Sequence, residues 1–210
     1  MSGFSNQFNK AELKLLSKLS TPRKIQDYLD NTPYSTDSFY RSPRSVIKDN
    51  KAHCFDGALF ACAALHNLGF PPLMVDMLAH NDDEHMLAIF RVDGCFGSIA
   101  KSNFSGLRYR DPVYRNLREL VMSYFEDYYN LAYEKTLRGY TVPLDLTRFD
   151  HLNWKTSDEN IDVIAEATDR IRRYKLMTKK QEKLLTKMDE KAYKAGLLGS
   201  DSKGLYKVKS

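Results

Sequence analysis

Residues 54–68, CFDGALFACAALHNL, are apolar on nearly every face. A helix with no polar stripe cannot lie on a surface, so this one must be enclosed, with other elements packed all round it. Gly69 follows as a C-terminal stop, and Pro71-Pro72 break the chain. The next two segments, LMVDML (73–78) and HMLAIFRV (85–92), are rich in branched and apolar residues and read as strands. Asp93-Gly94 is a hairpin signal that returns 95–101 antiparallel to the second of them. Helices before, a central helix, an antiparallel sheet and further helices make an α+β pattern.

The flanks carry helix start signals. Residues 10–19 have amphipathic spacing, and Thr21-Pro22 and Ser42-Pro43 each supply an N-cap with proline at the first helical position. The polar stretch 31–42 reads as a loop. Asp111-Pro112 caps an aromatic helix over about 113–133, Ser157 one to about 173, and Thr178 a charge-laden one to about 195. This divides the chain into a domain at 1–150 and a helical extension at 151–210 that ends in a frayed, basic tail after Gly196.

Composition narrows the function. No apolar run approaches the ~18–20 residues that span a bilayer, and MSGFSNQFNKAELK lacks a basic-then-apolar leader pattern. The expectation is a cytoplasmic protein with no membrane partner. Three cysteines with no CxxC pair argue against a disulfide framework and a structural zinc site. A net charge of +5 gives weak attraction to anions, short of a dedicated nucleic-acid binder.

Cys54 stands where a loop meets the enclosed helix. There a thiolate feels the positive end of the helix dipole, and free N–H groups of the first turn can hold an oxyanion. Cys62, two turns further in, is expected to be buried and inert. A thiol of ordinary acidity needs a base. His85 opens a strand and shares a face with Leu87 and Ile89, which need a core. The enclosed helix is the nearest core, so His85 is expected to face Cys54. The imidazole in turn needs an orienting group. With a two-residue hairpin loop, His85 pairs with Ser102, and one bulge turns Asn103 inward. Asn103 is the preferred partner and Ser102 the next. A metal reading also exists in His80, Asp82 and His85, although their spacing matches no helix-based zinc signature.

Cys54 opening a helix, Ala58 within it, Leu68-Gly69-Phe70-Pro71 closing it, and His85, Gly94 and Phe96 on the strands resemble the core of the transglutaminase-like superfamily. The likeness covers about residues 50–104. It implies a papain-like fold and a Cys–His–Asp or Cys–His–Asn triad. The activity it implies is cofactor-free cleavage or transfer of an amide or acyl group on a peptide, protein or small amide. Met86 and Leu87 stand where an aromatic usually follows the histidine, and no carboxylate stands near Ala100. A catalytically inactive, protein-binding domain is the alternative implied by those departures.

Overall fold

The computed structural model describes residues 8–206. Three short helices open the described chain: α1 (Lys10–Lys18), α2 (Pro22–Asp30) and α3 (Pro43–Asp49). Asn9, Thr21 and Ser42 cap them by accepting first-turn N–H groups, so the capping signals act as expected. The enclosed helix is α4 (Cys54–Asn67), with an unbroken buried run from Phe55 to Leu65. Gly69 at φ 90° closes it.

Then come β1 (Leu73–Ala79), β2 (His85–Val92), β3 (Cys95–Ile99) and β4 (Arg110–Tyr114). Helix α5 (Leu117–Met122) precedes β5 (Leu137–Thr141) and β6 (Leu144–Asp145). The remainder is α6 (Asp162–Arg170), β7 (Arg173–Lys175), α7 (Lys179–Glu182) and α8 (Glu190–Gly196). The strands form one antiparallel sheet in the order β4-β3-β2-β1-β5-β7, with β6 pairing β1. The Asp93-Gly94 turn pairs Val92 with Cys95, as read from the sequence, with both turn residues at positive φ. The chain is α+β: a buried helix on an antiparallel sheet.

Each face of the sheet has its own core. Met74, Met86, Ala88 and Phe90 pack on α4. Val75, Leu87 and Ile89 point the other way, onto Leu120, Tyr124 and Tyr128. Period-2 alternation along β2 enforces this split.

Three expected elements differ. The aromatic helix over 113–133 is instead β4 followed by the shorter α5, which Asn116 caps. Proline at 112 disfavours helical geometry for Asp111, and the strand pairs Ser98 with Arg110. The expected helix end at 173 is the strand β7, docked on β5. The charge-laden helix over 178–195 is split into α7 and α8, with Met188 bonded through its N–H to the Tyr133 carbonyl between them. Residues 151–206 also supply Trp154, Ile161 and Ile164 to the α4 core. Of the tail after Gly196, the part up to Tyr206 packs on the body, with a 3-10 turn at Ser202–Gly204; residues 207–210, like the leader reading of residues 1–7, lie outside the described residues. Among the described residues, no helix is long and apolar enough to cross a membrane.

Candidate functional site

The N-terminus of α4 is built by a cap that the sequence does not advertise. His53 Nδ1 accepts the N–H groups of Phe55 and Asp56, at 3.1 and 3.4 Å. Asp56 reciprocates by accepting the His53 N–H. Asp56 is fully buried and also accepts the Arg41 N–H at 2.8 Å, which fixes the 35–41 loop over the helix start. Since the Phe55 and Asp56 donors are spent on His53, Cys54 keeps its own N–H for other use. The Tyr34 hydroxyl lies against that N–H.

The Cys54 thiol points at the Glu84 carbonyl, 4.0 Å away, and the Met86 N–H stands close enough to favour its thiolate. It therefore sits beside the backbone of His85, at the edge where β3 has left the sheet. That departure has a cause. The β2–β3 pairing ends at Ala88 with Ile99, because the Gln26 side chain takes both main-chain groups of Ala100, at 3.0 and 2.9 Å. The expected pairing of His85 with Ser102 is therefore absent, and Asn103 is carried away from the imidazole. Its amide pairs instead with the backbone of Asp201.

His85 does share a face with Leu87 and Ile89, but that face is turned from the body of α4, toward Tyr128, whose ring meets the imidazole edge-on at 6.4 Å. Its Nε2 lies 2.9 Å from the Leu107 carbonyl. A carbonyl can only accept, so Nε2 carries the proton and Nδ1 keeps its lone pair. Nδ1 has no hydrogen-bond partner among the described residues. The imidazole is thus held by the main chain of Leu107 and not by Asn103 or Ser102. A carbonyl contribution of this kind leaves no residue-type signal in a sequence.

Cys54 and His85 line one cavity of about 660 Å³, walled also by Tyr34, Asp83, Leu107 and Tyr128. Burial keeps both groups neutral at rest. It pushes the thiol up to about 12 and the imidazole down to about 4. The dipole of α4 does not overcome this desolvation. Cys62 is fully buried and donates to the Leu73 carbonyl at 3.5 Å.

Two further buried groups escaped the sequence reading. Lys101 stands next to Ala100, where the resemblance places a triad carboxylate, and its ammonium instead bonds the Leu29 and Thr32 carbonyls at the end of α2. Asp76 on β1 is wholly buried, and its carboxyl stands against that of Glu84. Burial, then the neighbouring Glu84 carboxyl, hold it protonated far above the usual carboxylate range. The residues of the metal reading are separately engaged: Asp82 accepts from Thr136 at 2.7 Å and His85 bonds Leu107. Among the described residues, no group of three or more His, Cys, Asp or Glu could hold a metal ion.

No protein-family model and no curated protein matches the chain. Among solved structures, it is similar to Legionella pneumophila LapG, with 18% identity over 48% of this chain and 66% of that one, at a TM-score of 0.36. The EGTA-treated form of LapG matches at 18% identity over 49% and 63%, with a TM-score of 0.35. The chain thus spans just under two thirds of the length of those structures.

Proposed function

We propose that the chain is a transglutaminase-like, cysteine-dependent enzyme that cleaves or transfers an amide or acyl group of a peptide, protein or small amide. Cys54 is the nucleophile, His85 the base, and the Leu107 carbonyl the group that orients the ring. The observation that carries this reading is the Leu107 bond to Nε2, which leaves Nδ1 unprotonated on a residue that lines the same cavity as Cys54.

Both groups are neutral at rest, so the thiol gives up its proton to Nδ1 as sulfur attacks the carbonyl carbon. The new S–C bond places negative charge on oxygen, near the Cys54 N–H; that N–H exchanges the Tyr34 hydroxyl for the oxyanion, and one such donor contributes about 3–4 kcal/mol. Collapse of that intermediate breaks the C–N or C–O bond, and the leaving group takes the proton from Nδ1. Water or an amine then attacks the thioester while Nδ1 accepts its proton; the C–S bond breaks, and the departing Cys54 thiolate takes that proton back, giving hydrolysis or transfer.

The second reading, an inactive protein-binding domain, draws on Lys101 and Ala100 standing where a triad carboxylate is absent. A p-nitrophenyl acyl ester separates the two, with the acylated peptide located by mass spectrometry. The enzymatic reading expects acylation at Cys54, slowed about 10²–10⁴-fold in His85→Ala and unchanged in Cys95→Ser. Equal, slow acylation of Cys54 with and without His85 leaves only the binding domain.

A further inference from the structure

The chain carries a net charge of +5, yet the cavity that Cys54 and His85 line is acidic. Asp82, Asp83, Glu84 and Asp162 line it with no cationic partner among the described residues. The other carboxylates on its wall, Asp37, Glu166 and Asp169, are paired with Arg41, Arg170 and Arg173. Behind Glu84 lies Asp76, wholly buried, its carboxyl held protonated against that of Glu84. Four unpaired carboxylates against low-dielectric walls focus a negative potential, which favours a cationic occupant.

The occupant on the wall of this cavity is the chain's own C-terminal segment. Asn103 Nδ2 donates to the Asp201 carbonyl at 2.7 Å, and the Asp201 N–H donates to Asn103 Oδ1 at 2.7 Å. On the segment's side that two-point pairing engages main chain only, at the head of the 3-10 turn Ser202–Gly204, and so holds a backbone turn whatever its side chains. Two residues on, Lys203 enters as the one Lys or Arg lining the cavity among the described residues. Gly204 then passes so close to Tyr34 that a Cβ there would fall 2.9 Å from two ring carbons. Only a residue without a side chain passes between Tyr34 and Asn103, and Tyr34 is the residue whose hydroxyl meets the Cys54 N–H.

We propose that this cavity is a groove for a lysine-bearing polypeptide turn, and that residues 201–206 hold it in cis. The inference rests on the cavity being the substrate site, but its test reads binding and not turnover.

The test uses the full-length chain with Cys54→Ala, which carries no nucleophile, so the outcome is independent of the acylation experiment. Asp201→Pro removes the N–H that Asn103 accepts, and Gly204→Val drives a side chain into Tyr34. Both changes lie in a segment with no buried residue, so the fold is retained. The probe is a fluorescein-labelled peptide of sequence GSDSKGLY, followed by anisotropy. Each variant is expected to bind it at least tenfold more tightly than the parent, because the groove is vacated. A counterpart with Glu for Lys is expected to lose that binding, and adding Asn103→Ala to abolish the gain. Equal affinity in parent and variants overturns the proposal, as does equal affinity for the Lys and Glu peptides, or no binding to any variant.

Discussion

A neutral imidazole carries one proton, and its partners decide where. In His85 the Leu107 carbonyl fixes it on Nε2; in His53 two backbone donors require a bare Nδ1. Burial holds each near a pKa of about 4, below the ordinary 6.5. An unfolded chain therefore binds protons that the native chain refuses between about pH 6.5 and 4, and stability falls as pH drops through that window. Asp56 and Asp82, raised to about 6, act in the opposite direction over part of it. The histidine contribution is then read as a difference. His53→Asn keeps the capping acceptor and removes the titration. Its stability relative to the parent is expected to improve by about 1.4 kcal/mol per pH unit on acidification from 6.5 to 4, measured by urea unfolding. A difference that stays constant with pH contradicts the assignment of His53 as a neutral cap.

The elements that hold the site are joined by side chains acting as backbone. Gln26 of α2 stands in for a strand at Ala100, and Lys101 closes the end of α2. Gln26→Leu is expected to cost about 2–4 kcal/mol, because two buried main-chain groups lose the partner that Gln26 supplies. A denaturant midpoint within error of the parent would contradict that role. Gly57 on α4 packs against Lys101 so closely that a Cβ would overlap the Lys101 stem, so Gly57→Ala is expected to destabilise by about 1–3 kcal/mol rather than to stabilise the helix. The same element explains what the sequence could and could not disclose. The apolar run of α4, the caps and the Asp93-Gly94 turn are local, and they were legible. The exit of β3 after Ile99 depends on a glutamine more than seventy positions earlier, and no spacing rule carries that contact. His85 was placed with Leu87 and Ile89 correctly, but the choice of face needed to know that Tyr124 and Tyr128 supply a second core. The sequence offers Cys54 and His85 as residue types, and they line one cavity; it does not offer Leu107, since the carbonyl and not the side chain meets the imidazole.

At the scale of the molecule, one sheet separates two cores, and the cleft opens where the sheet edge meets the start of the enclosed helix. The C-terminal residues close over that opening without joining either core, as none from Leu197 to Tyr206 is buried. Ending the chain at Gly196 is expected to leave the thermal midpoint within about 2 °C of the parent, by calorimetry, because no apolar core is lost. A drop of 8 °C or more would mean that the tail is part of the fold and not a cover.

The central claim is that His85 presents an unprotonated Nδ1 to the cavity of Cys54 while its Nε2–H is tied to Leu107. Long-range nitrogen–proton correlation NMR of the ¹⁵N-labelled chain reads this directly, with His85→Gln assigning the signal. The account predicts a single Nε2–H tautomer at pH 7 that persists on acidification to near pH 4. An Nδ1–H tautomer, or a ring already charged at pH 6, would contradict it.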